Sequence, residues 1–157
     1  MRDYKSKLDW CLKNEKRMKK ISSDRGVAEG HIKKAKHNLK AADLSIRSGF
    51  EDWAVSQLYY AMYHSLLAIL FDRGYESKNH ECTISVIEYL IEIKDIDLDL
   101  DDVAFIRTTE QMTNKNAKSL REEFQYGIET EVNKELLDIL VIKSKEIVEK
   151  VEVVLNG

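Results

Sequence analysis

Proline is absent from this 157-residue chain, and glycine occurs only six times. Without proline nothing forces a helix to break, and so few glycines leave little material for turn-rich β architectures. An all-α fold is the expectation. Cysteine is scarce too. Cys11 and Cys82 lie far apart in helix-like contexts, which matches neither a disulfide framework nor a CxxC ligand pair. Reduced thiols and a cytoplasmic location are therefore expected. No stretch approaches the ~20 apolar residues of a membrane span, and the opening residues alternate charge where a signal peptide would be apolar. A soluble protein with no membrane association is expected. The templates GxSxG, GxGxxG, HExxH and the P-loop are missing, and none of His31, His37, His64 or His80 follows a Glu at Glu-x-x-His spacing. Neither a metal nor a cofactor is expected.

What is present is charge, at 34% of residues, with a formal net charge of -3 that is unevenly placed. Residues 1–50 hold 14 Lys/Arg against 6 Asp/Glu, whereas the remainder holds 11 against 22. A basic first third on an acidic body is a footprint for RNA, a nucleotide or the acidic face of a protein, or else simply a solvated helix surface.

The length suits one domain, 1–157. A short basic helix is expected within residues 1–22, from about 4 to 20, followed by five main helices over 24–155 in an up-and-down bundle. Ser22-Ser23-Asp24 can cap a helix whose stripe Ala28, Ile32, Ala35, Leu39, Ala42, Ile46 advances by fours and threes, and Ser48-Gly49 stops it. Asp52 is a candidate cap for the third helix, about 51–73. That helix is apolar or aromatic around most of its circumference and ends at Arg73-Gly74. A fourth helix spans about 78–93. The alternating acidic run Asp95 to Asp102 has no pairing partner and is expected to be a loop leading into a cap. Helices at about 101–125 and 130–155 complete the set. His31 and His37, six apart, fall on different faces and are expected to face solvent. His64 is expected as a hydrogen-bonded core or interface histidine, and His80 as a loop residue near Arg73 and Lys78.

The run Tyr59-Tyr60-Ala61-Met62-Tyr63-His64-Ser65-Leu66-Leu67, with Gly49-x-x-x-Trp53-Ala54-x-Ser56 before it and Lys78-Asn79-His80 after it, resembles the HEPN domains of prokaryotes. These small helical proteins are often encoded beside minimal nucleotidyltransferases. The resemblance implies a protein that binds RNA or a nucleotide, as one component of a toxin–antitoxin-like pair with a nucleotidyltransferase and as a homodimer. Nuclease members of the family carry an Arg followed a few residues later by a His. A metal-independent endoribonuclease needs one group for the 2′-hydroxyl proton and one cation for the phosphate. The matching segment here is Arg121-Glu122-Glu123-Phe124-Gln125-Tyr126-Gly127, with Tyr126 where the histidine would stand. Tyrosine titrates near pH 10 and is a poor base at neutrality, so the resemblance leaves ribonuclease activity weakened or absent. It implies Arg121 and Tyr126 as the catalytic pair, and Gln125, His80, Arg73 and Lys78 as binding residues. The alternative is a non-catalytic homodimeric interaction or scaffold module.

Overall fold

The computed structural model describes residues 3–111 and 132–157. Among these described residues six helices and a two-stranded ribbon follow one another as α1 Tyr4–Leu12, β1 Met18–Lys20, α2 Arg25–Arg47, α3 Glu51–Arg73, β2 Tyr75–Ser77, α4 His80–Glu92, α5 over 100–111 and α6 Lys134–Asn156. The all-α bundle read from composition is the architecture found.

The α2–α3 hairpin is its centre, and its packing follows from small residues. Ala28, Ala35 and Ala42 on α2, and Ala54, Ala61 and Ala68 on α3, are all fully buried. Each set repeats every seven residues. Because the helices run antiparallel, Ala35 and Ala61 share one cluster and Ala42 and Ala54 another. Alanine lets two backbones approach closely along such a seam. Asp24 caps α2 by accepting from the Val27 N–H at 3.0 Å. Gly74 ends α3 at φ 87, a left-handed position where a Cβ would lie 2.8 Å from the Ile21 carbonyl oxygen. The α3 helix is long and apolar enough to cross a membrane by length and composition, and 72% of that window is buried within the bundle. The α6 helix packs on α3 and α2, placing Leu137, Leu140, Ile147 and Val151 inside, on the stripe its sequence marks out.

The acidic loop leads into α5 as expected. The Asp102 N–H donates to the Asp99 carbonyl and the Asp99 N–H to the Asp102 carboxylate. Asp102 is 1% exposed and accepts from Lys143 at 2.9 Å and Lys150 at 3.0 Å, both on α6. Burial works against its charge, but the two ammonium donors outweigh it and hold the carboxyl below its ordinary range.

Several local expectations are corrected. The first helix stops at Leu12 rather than near residue 20. The chain turns at Asn14, whose carbonyl accepts from the Arg17 N–H, and β1 then pairs antiparallel with β2, Met18 opposite Ser77 and Lys20 opposite Tyr75. Met18 is buried to completion in this ribbon, and its burial favours pairing over another helical turn. Cys11 and Cys82 are not reduced thiols. They form a disulfide joining α1 to α4 across a sequence separation of 71. Asp52 caps nothing. Phe50 holds the cap position of α3, and Asp52 sits buried in the first turn, where a carboxylate suits the positive end of the helix.

Candidate functional site

Where α3, α4 and α5 meet, a histidine rests on two tyrosines. The start of α4 is fixed first. The Asn79 side chain accepts from the Cys82 N–H at 2.9 Å, and the Thr83 hydroxyl donates toward the Ser77 hydroxyl at 2.7 Å and the Asn79 carbonyl at 3.1 Å. These bonds make His80 the first residue of α4, not a loop residue. Its ring lies flat on Tyr63, centroids 4.1 Å apart and planes 15° from parallel. Its Nδ1 is 2.9 Å from the Tyr59 hydroxyl and 3.7 Å from a carboxylate oxygen of Glu110 on α5. Tyr59 and Tyr63, one turn apart on α3, are buried, and the Tyr63 hydroxyl is satisfied by Thr83 at 3.1 Å. Burial raises both phenols, and the negative charge of Glu110 raises them further, although the Thr83 hydrogen bond offsets part of this at Tyr63. Both therefore stay protonated at neutral pH.

The His80 side chain remains 46% exposed. Its Nδ1 pairs with the Tyr59 hydroxyl, either of which can donate, and the Glu110 carboxylate stands close beside the pair. A half-exposed imidazole with one nitrogen committed to the protein can give or take a hydrogen bond at the other.

Arg107 sets the register that brings Glu110 to this place. Its guanidinium reaches back from α5 to Glu81 at 2.8 Å and Glu88 at 2.6 Å on α4. Burial opposes its charge, yet the two carboxylates raise it well above the ordinary arginine range. Glu81 follows His80 in sequence and Glu110 stands one turn beyond Arg107, so the clamp aligns the two pairs. With both its partners anionic, Arg107 is occupied and is no free phosphate cation.

A second histidine constellation lies across the α2–α3 seam. His31, expected at the surface, is half-buried, with its Nδ1 3.0 Å from the Nδ1 of His64. The same ring packs against Phe71, at a centroid distance of 5.3 Å. Burial, then His31 and then Lys34, push His64 down to about 4. Burial alone lowers His31. The pair sits where the alanine seam brings the backbones close, a constraint that the spacing of α2 by itself does not contain. His37 is exposed, as expected.

Of the site residues singled out in the sequence that fall among the described residues, His80 alone joins the tyrosine site. Arg73 is committed to Asp72 and, at 2.9 Å, to Asp95. It lies ten residues beyond Tyr63, about 15 Å further along the helix. Lys78 is exposed two residues before His80, and its backbone N–H donates to the Arg17 carbonyl at 2.9 Å. Arg121, Gln125 and Tyr126 lie outside the described residues. Glu110 was missed because nothing local in the sequence of α5 marks one glutamate above another. Tyr59 and Tyr63, by contrast, stand i,i+4 in the aromatic run. Among the described residues no three His, Cys, Asp or Glu side chains group as a metal site.

Comparison with known proteins places the chain among relatives. The family description "HEPN domain" matches residues 28–154, so α1 and β1 precede the matched region. The chain is 34% identical over 119 residues to a "UPF0332 protein" of Archaeoglobus fulgidus, covering 76% of this chain and 86% of that one. It is 28% identical over 112 residues to a Methanocaldococcus jannaschii protein named "Putative toxin MJ0142", covering 71% of this chain and 70% of the relative.

Proposed function

The chain belongs to the HEPN family, and on that premise we propose that it is a toxin-like HEPN protein that binds RNA or a nucleotide at the His80 site. It would act as a homodimer and as one half of a pair with a nucleotidyltransferase. The observation that carries this reading is the His80 constellation: a half-exposed imidazole stacked on Tyr63 and tied at Nδ1 to Tyr59 and Glu110. A flat aromatic stack and a histidine are suited to a base and a ribose-phosphate. Further support comes from the exposed lysines of α2, Lys33, Lys34 and Lys40, which can track a phosphate backbone. The relative named as a toxin supports the biological role. In this reading Arg121 contacts phosphate, with Gln125 and Tyr126 beside it.

The test is fluorescence anisotropy of a labelled single-stranded RNA with the full chain at about 50 and about 200 mM salt. Expected is binding that weakens with salt, weakens when Lys33, Lys34 and Lys40 are together changed to alanine, and weakens in Arg121→Ala. No binding, or binding indifferent to Arg121→Ala but lost when Lys13, Lys16, Lys19 and Lys20 are replaced, overturns the site assignment.

A second reading, a non-catalytic homodimeric interaction module, draws on a different observation. Leu44, Phe50, Ile139 and Ile142 are large apolar residues exposed on α2, the α2–α3 turn and α6. A dimer in sedimentation that binds no RNA, from a gene with no nucleotidyltransferase neighbour, would favour it.

A further inference from the structure

We infer that the Cys11–Cys82 pair is a reversible thiol–disulfide site, taking a small dithiol as its reductant, and that its bond is a latch. Oxidised, it holds α1 on α4; reduced, it lets α1 leave. The inference is independent of what binds at the His80 site.

The bond ties a segment outside the family match to the bundle. Cys11 lies in α1, ahead of the matched residues 28–154, and Cys82 lies in the first turn of α4, two residues after His80. Among the described residues little else fastens α1 to α4. Of its nine residues Leu8 and Cys11 are buried, and so short a helix does not persist in water without packing. Lys5 adds a contact with the Tyr89 ring at 5.8 Å. The Asp3 cap lies within the segment itself, and the Arg17 guanidinium 3.7 Å over the Trp10 ring ties α1 to the turn that follows it, not to α4. Beyond that turn the chain is anchored. Met18 is fully buried, the Ile21 N–H donates to the Gly74 carbonyl at 2.9 Å, and the Arg17 carbonyl accepts from the Lys78 N–H at 2.9 Å. Release therefore ends near Asn14 and leaves the ribbon in place.

What α1 covers is the Arg107 clamp. Tyr4 and Lys7 form one side of a cleft of about 260 Å³ whose other side is Glu81, Glu88 and Arg107. The Glu88 side chain is 6% exposed behind it. Departure of α1 opens this cleft to water, where ion pairs weaken. Glu110, which the clamp holds 3.7 Å from the His80 Nδ1, is then held less firmly. A bond on one side of α4 thus reaches the histidine at its start.

Both sulfurs are buried, so exchange begins from a local opening of α1. A thiolate of the dithiol attacks Sγ of Cys11 and bonds to it as the bond to Sγ of Cys82 breaks. Cys82 leaves as a thiolate, favoured by the positive end of α4, and takes a proton from water. The second thiol of the reagent gives its proton to solvent and displaces Cys11, which is protonated in turn. The protein disulfide has gained two electrons, and the dithiol has lost them in closing to its own disulfide. A small disulfide runs the sequence backwards.

The experiment holds the full chain below its melting transition, without denaturant, with and without dithiothreitol, and follows maleimide tagging by mass, amide hydrogen exchange and the histidine ring signals by NMR. Two thiols should be tagged after reduction. The amides of α1 should then exchange as in an unstructured peptide while those of α2, α3 and α6 keep their protection, and oxidised glutathione should restore α1. Cys11→Ser should show the open α1 whether or not dithiothreitol is present. The His80 signals should move on reduction, and less in Glu110→Gln. A bond that yields only in urea, an α1 still protected once both thiols are tagged, or loss of protection in all helices together overturns the latch. Release of α1 with the His80 signals unmoved overturns its reach to that site.

Discussion

Acidification from pH 7 to pH 5 should selectively weaken the α2–α3 seam through the His31–His64 pair. The two Nδ1 atoms are 3.0 Å apart, so one must donate and the other accept. When both rings are protonated, two N–H groups face each other and the bond is lost. His64 is pushed down to about 4 by burial first, then by His31 and Lys34. An unfolded chain titrates it near 6.5. Between those values the unfolded chain takes up a proton that the folded chain refuses, so stability is fully present above about pH 6.5 and is lost as the pH falls toward about 4. Full linkage at pH 5 corresponds to about 2 kcal/mol. His64 is only partly buried, and solvent screening reduces the expected effect to about 1 kcal/mol. Urea unfolding of wild type and His64→Gln at both pH values reads it directly. Glutamine keeps a hydrogen-bonding group and removes the titration, so wild type should lose about 1 kcal/mol relative to the variant on going from pH 7 to pH 5. A difference between the two proteins that is the same at both pH values refutes the reasoning.

Three further outcomes follow from packing. Asp102→Asn leaves Lys143 and Lys150 without their shared, 1% exposed carboxylate, and should cost about 2–3 kcal/mol in urea unfolding, discounted from a fully buried pair because both lysines reach solvent. Gly74→Ala places a Cβ 2.8 Å from the Ile21 carbonyl oxygen at a left-handed φ of 87, and should lower stability by more than the ~1 kcal/mol typical of such sites, seen as a lower melting temperature. Reducing the Cys11–Cys82 bridge releases a closed loop with a sequence separation of 71, worth about 4 kcal/mol in the chain-entropy account, so melting with and without a dithiol reductant should differ clearly.

Much of the bundle was legible because its signals are local. Asp24, Ser48-Gly49 and Arg73-Gly74 mark helix ends by capping and left-handed geometry, and α2 and α3 begin and end beside them. The ribbon was not legible. Three-residue strands carry too little pattern, and the burial of Met18 against residues about sixty positions away is a tertiary fact. The cystine was hidden for the same reason, since spacing says nothing about two residues brought together by α1 lying on α4. His31 illustrates a signal that was present but read on one helix alone. The heptad alanines of α2 have counterparts at Ala54, Ala61 and Ala68, and antiparallel pairing of the two sets brings His31 opposite His64. At the site, His80 and its tyrosines come from one conspicuous stretch. Glu110 depends on the Arg107 clamp, which only the packed α4–α5 pair reveals.

The most direct test of the central claim is a titration of single-stranded RNA into the full chain with its histidine rings isotopically labelled, followed by NMR. If RNA is taken up at the junction of α3, α4 and α5, the His80 ring signals move first and saturably, while those of the His31–His64 pair stay in place. Saturable RNA binding that leaves the His80 signals unmoved would contradict the account.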